Sequence, residues 1–88
     1  MTFLISYQLN KYKDYQSLYD AIKSYPVARR VMNSLWVIQS PHTATSVRDY
    51  LKQFTDSDDY LLVVNTTKQA FAWTKLEISN EEFKRIVS

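Results

Sequence analysis

Few side chains in this chain could do chemistry, and the one in the most telling place, Gln8, is an amide. It sits near the end of the alternating run Phe3-Leu4-Ile5-Ser6-Tyr7-Gln8-Leu9-Asn10, at the point where a small α+β domain can hold a catalytic carboxylate. An amide orients a ligand through hydrogen bonds, but it cannot ionise, act as a general base or anchor a divalent metal as a carboxylate does. Ser6 and Asn10 are the polar neighbours, and no acid follows in the same strand, because Asp14 reads as a helix cap. Gln8, Asn10 and Ser6 are therefore the candidates for a non-standard catalytic centre, none with an activating base that can be named.

The remaining reactive types are scattered. Asp56, Asp58 and Asp59 could bind a cation, but they read as a solvated turn, and no EF-hand spacing continues them. His42 is the only histidine and cysteine is absent, so no Cys-His pair can form, although Ser40, Thr43 and Ser46 lie near it in sequence. Following Pro41 in a connecting segment, His42 reads as a surface residue. No resident metal and no cofactor are expected; Mg²⁺ would enter only with a nuclease activity. Arg29 and Arg30 are the best candidates for phosphate contact, since adjacent strand residues point to opposite faces and one of them must meet solvent or a ligand. Lys11, Lys13 and Lys23 add positive charge to the same third of the chain. Tyr7, Trp36 and Trp73 could stack bases, although strand aromatics in small domains more often serve a core or an interface.

Composition narrows the classes further. With 88 residues the chain has room for one domain, residues 1–88, which buries only roughly 60 to 65% of the surface its unfolded state exposes. Hydrophobic residues make up 45% and aromatics 15% of it, more apolar surface than one small core hides, so a self-complementary partner and a homodimer are expected. The lack of cysteine rules out disulfides and zinc knuckles and suits a reducing cytoplasm. No apolar run approaches the roughly 20 residues of a membrane span, and the N-terminus lacks the flanks of a signal peptide, so a cytoplasmic protein with no membrane association is expected. A net charge of +2 argues against a binder that works by bulk basicity. Glycine is absent, where average usage of about 7% predicts roughly six. Every glycine-built phosphate loop, dinucleotide fingerprint or RNP motif is thereby excluded. Asn10, Asn33, Asn65 and Asn80 fall near element ends and are the next-best residues for positive φ.

The elements that must position these residues follow from periodicity. Residues 3–9 form a strand with Phe3, Ile5, Tyr7 and Leu9 on one face. Asp14 opens a helix to about Tyr25, striped by Tyr15, Leu18, Tyr19 and Ile22 and stopped by Pro26. From Ala28 to Ser40 the pattern is extended, with Asn33-Ser34 as either a tight turn or a bulge. Thr43 or Thr45 caps a second helix reaching Phe54, striped by Val47, Tyr50, Leu51 and Phe54. The run Tyr60-Leu61-Leu62-Val63-Val64 fits a central strand covered on both faces. Ala70-Phe71-Ala72-Trp73-Thr74 reads as a short edge strand, and Ser79-Asn80-Glu81-Glu82 as a capping box opening a final helix through Ile86. The order βαββαβ, plus the extra strand and terminal helix, is the α+β ferredoxin-like sandwich: an antiparallel sheet with two helices on one face. Its other face would carry Leu4, Ser6 and Gln8 and must bind a ligand or meet a second sheet.

Tyr7-Gln8-Leu9 at the strand end, Arg30-x-x-Asn33-Ser34-Leu35 between the helices, and the strand opening at Asp59-Tyr60 resemble the small CRISPR-associated proteins of the Cas-two type. They are equally similar to the related virulence-associated protein D and SinR-like proteins. The resemblance spans roughly residues 2–75. It implies a dimer formed through the sheets and, in some members, a metal-dependent nuclease using an aspartate that closes the first strand of each subunit. Position 8 matches that aspartate and holds Gln. The expectation is accordingly a homodimer that binds RNA, DNA or a protein partner without metal-dependent cleavage; the rival is an active, toxin-like or CRISPR-associated endoribonuclease with a non-standard site.

Overall fold

The computed structural model describes residues 1–10 and 15–88. Its elements are β1 (Thr2–Gln8), α1 (Gln16–Lys23), β2 (Val27–Met32), β3 (Leu35–Gln39), α2 (Ala44–Lys52), β4 (Tyr60–Asn65) and α3 (Asn80–Val87). The strands form one antiparallel sheet in the order β2-β3-β1-β4. The result is a small α+β protein with three helices, compatible with a ferredoxin-like fold.

Alternation along the strands sorts side chains into two layers. Phe3, Ile5 and Tyr7 of β1 and Trp36 and Ile38 of β3 face Leu18, Ala21 and Ile22 of α1 and Val47 and Leu51 of α2, and together they make the larger core. The helices present these residues at spacings of three and four, which gathers the apolar positions onto one stripe. Thr43 caps α2 by accepting a hydrogen bond on its Oγ1 from the Ser46 N–H at 3.1 Å. Helix α1 stops at Lys23, two residues before the expected end. There the Ser24 and Tyr25 N–H groups turn back to the carbonyls of Ala21 and Ile22, the tightened last turn of a helix approaching a proline. Asp14, expected to cap this helix, lies outside the described residues.

The opposite layer is smaller. Val31 and Val37 are buried there under Phe83 and Ile86 of α3, with Phe71, Trp73, Leu76 and Ile78 packed around them. Ser79 caps α3, its Oγ accepting from the Glu82 N–H at 3.1 Å. The expected strand at 70–74 does not form. Its alternation arises because Phe71 and Trp73 both pack edge-on against Phe83, at 5.4 and 4.7 Å between ring centroids. The segment runs across the sheet, and the Glu77 N–H reaches the Val31 carbonyl at 3.0 Å.

Strand β4 also departs from expectation. It is an edge strand rather than a central one, and only Leu61 and Val63 pack into the core. Tyr60, Leu62 and Val64 are 62%, 59% and 42% exposed. The second face is thus half covered: α3 and its lead-in lie over β2 and β3, leaving the β4 side open. At Asn33-Ser34 the tight-turn alternative holds, and a register shift lies separately within β2, between Arg30 and Met32. Among the described residues positive φ is confined to Lys68, at 59°, so the asparagines at element ends do not supply it. Without positive φ at either position the turn is not of the primed type that matches strand twist, and the bulge takes up the difference.

Candidate nucleic-acid interface

Pairing β1 against β4 sets Gln8 opposite Tyr60, one residue beyond the acidic turn. Gln8 is exposed; its Nε2 donates to Asn10 Oδ1 at 3.3 Å. Asn10 in turn donates its backbone N–H to Asp59 Oδ1 at 3.1 Å and its side-chain amide to the Asp58 carbonyl. Asp59 also accepts from the Tyr15 hydroxyl at 3.0 Å and, on Oδ2, from the Asp56 N–H at 2.8 Å. A carboxylate therefore does stand near the end of β1, contributed by the turn before β4. Its oxygens accept from these three donors, which hold the turn together. Asp56, Asp58 and Asp59 bring carboxylate oxygens within 4.8 Å of one another, but with Asp59 committed in this way the trio reads as a structural turn. Ser6 and Gln8 line a shallow cleft with Tyr7, Tyr60, Leu61 and Leu62. That cleft holds no carboxylate, imidazole or amine, so it offers a metal no anionic ligand and a nucleophile no base.

The arginine pair separates across the sheet as strand geometry requires. Arg29, opposite Val37, faces α3 and binds Glu82, with Nη2 and Oε2 2.6 Å apart. The hydrogen bond between them holds the Glu82 carboxyl below its ordinary range and raises the Arg29 guanidinium further. Arg29 is thereby taken up in joining α3 to the sheet. Arg30, opposite Trp36, faces the α1 side and is exposed. It has no carboxylate partner among the described residues.

Arg30 shares a cleft of about 340 Å³ with Gln16, Tyr19 and Lys23 of α1 and the edge of Trp36. Gln16, Tyr19 and Lys23 lie three and four residues apart and so share one helix face, which sets an ammonium and a phenol in the same cleft as the guanidinium. Lys23 was visible in sequence only as general positive charge; its spacing from Tyr19, read against the facing of Arg30, is the signal that places it. Lys11 and Lys13 lie outside the described residues.

The tryptophans and Tyr7 are not available for stacking. Tyr7 and Trp36 are 6% and 5% exposed, and the Tyr7 Oη accepts from Trp36 Nε1 at 3.1 Å while donating to the Asn33 carbonyl at 3.4 Å. Burial raises the Tyr7 phenol above its ordinary value, partly countered by that indole hydrogen bond. Trp73 packs on Phe83 and donates to Asn80 Oδ1 at 2.9 Å. His42 lines a separate cleft with Tyr25 and Tyr50 at the start of α2. Among the described residues no helix is long and apolar enough to cross a membrane. No family model matches the chain.

Proposed function

We propose that this chain is a ferredoxin-like homodimer of the Cas-two and virulence-associated-D type that binds nucleic acid and does not cleave it by a metal-dependent route. The observation that carries the binding reading is the pairing of Arg30 with Lys23 in one exposed cleft, with no carboxylate among its lining residues. A guanidinium grips two phosphate oxygens at once, and an ammonium adds a mobile point charge beside it. With a net charge of only +2, affinity must come from this local cluster rather than from bulk attraction. The non-catalytic half of the reading is supported by Gln8 and by the engagement of Asp59 in its own turn.

The test is a titration of labelled single-stranded RNA and DNA at several salt concentrations. Arg30→Ala is expected to weaken binding and to lower the slope of log affinity against log salt by about one, as for one lost phosphate contact; Arg29→Ala should leave that slope unchanged. Absence of salt-dependent binding to either strand would overturn the reading in favour of a protein partner. Cleavage by the wild-type chain that EDTA abolishes would overturn the non-catalytic half, with Gln8→Asp as the gain-of-function control.

A further inference from the structure

One feature left unexplained is a cleft of about 560 Å³ between the end of α1 and α2, lined by Ser24, Tyr25, Pro26, Ser40, Pro41, His42, Ser46 and Tyr50. Its volume lies within the range of small-molecule sites. Its chemistry is specific in what it omits: no Lys, Arg, Asp or Glu lines it. Two phenol rings and two proline rings give it flat apolar walls. The Tyr25 and Tyr50 rings meet edge-on at 6.2 Å and 88°, and Tyr50 meets Phe54 at 5.4 Å and 70°. Tyr50 is thus braced on two sides yet 39% exposed. At the floor, Ser40 is only 3% exposed. Its Oγ accepts the His42 N–H at 3.1 Å, which leaves its own proton to donate.

Flat walls with a few hydroxyl and imidazole groups suit a neutral planar ring with polar edges. A phosphate would find no cation here, and a sugar, which needs a polar partner for most of its hydroxyls, would find too few. The cleft shares one element, α1 and its end, with the cationic one. Lys23 lines the cationic cleft and the next two residues, Ser24 and Tyr25, line this one, so the end of α1 contributes to both.

We infer that the Tyr25–Tyr50 cleft receives one unstacked nucleobase of a single strand whose phosphates lie on Lys23 and Arg30, which rests on the binding reading above. The base stacks on Tyr50 and meets the Ser40 hydroxyl and the His42 ring with its edge. Stacking of this kind tolerates any base, because every base has a π-face.

The experiment compares a short oligothymidylate with an abasic strand of the same length and backbone. Tyr50→Leu keeps apolar packing against Phe54 but removes the π-face, and Tyr50→Phe retains both. Tyr50→Leu is expected to weaken oligothymidylate binding roughly 5- to 100-fold and to leave abasic binding unchanged, with Tyr50→Phe close to wild type and melting temperatures alike. Arg30→Ala should weaken both strands. If Arg30→Ala weakens both while Tyr50→Leu weakens neither, the base pocket is overturned and the phosphate-binding reading stands. If neither strand binds the wild-type chain, both fall.

Discussion

The most consequential side-chain contact is the one that removes Tyr7 and Trp36 from the list of ligand-facing aromatics. Their hydrogen bond is buried, so truncating the acceptor leaves an indole N–H without a partner in a dry site. Tyr7→Phe is expected to cost about 1 to 3 kcal/mol in urea denaturation. Because burial raises the Tyr7 phenol, the folded chain holds that proton more tightly than the unfolded one. The associated stability is present below the ordinary tyrosine value and is lost as pH rises through the raised one; Tyr7→Phe should flatten that alkaline decline. At this scale the sequence was readable for chemical type and not for partnership. That Gln8 lacks an acid's chemistry is plain from its identity. That Asp59 is bound to Asn10 is not, since the two are 49 residues apart and meet only through the β1–β4 register.

Helix starts were the most legible elements, because Thr43 and Ser79 act through atoms three residues away and the code is local. Strand environments were the least legible. An apolar run such as Tyr60–Val64 reads the same whether its second face is covered by the chain or left for something else, and only sheet order distinguishes the two. The alternation at 70–74 likewise records packing on Phe83 rather than pairing in the sheet. Helix α3 adds a pH dependence of its own. Its Glu82 is held below the ordinary carboxylate range chiefly by the hydrogen bond from Arg29. The stability it contributes is therefore present above that range and lost as pH falls through the lowered value. Thermal unfolding followed from neutral to acid pH should fall more steeply for the wild-type chain than for Glu82→Gln, and parallel curves would show that the ion pair does not secure α3.

Across the whole molecule, Tyr60, Leu62 and Val64 leave an apolar strip on the uncovered half of the sheet. If the proposed homodimer forms there, Leu62→Lys should yield a monomer by light scattering at micromolar concentration with an unchanged far-UV spectrum, whereas the wild-type chain scatters as a dimer. A monomeric wild-type chain would contradict the dimer. The sheet order has a temporal consequence as well. Strand β1 is made first yet lies between β3 and β4, both made later, and its last partnership joins Phe3 to Asn65. The β2–β3 hairpin closes over a two-residue turn, but β1 gains its second neighbour only once the chain has reached Asn65. Folding should accordingly be paced by a distant closure rather than by its helices, and a nascent chain released before β4 would carry an open edge along β1, a ready template for pairing with its neighbours.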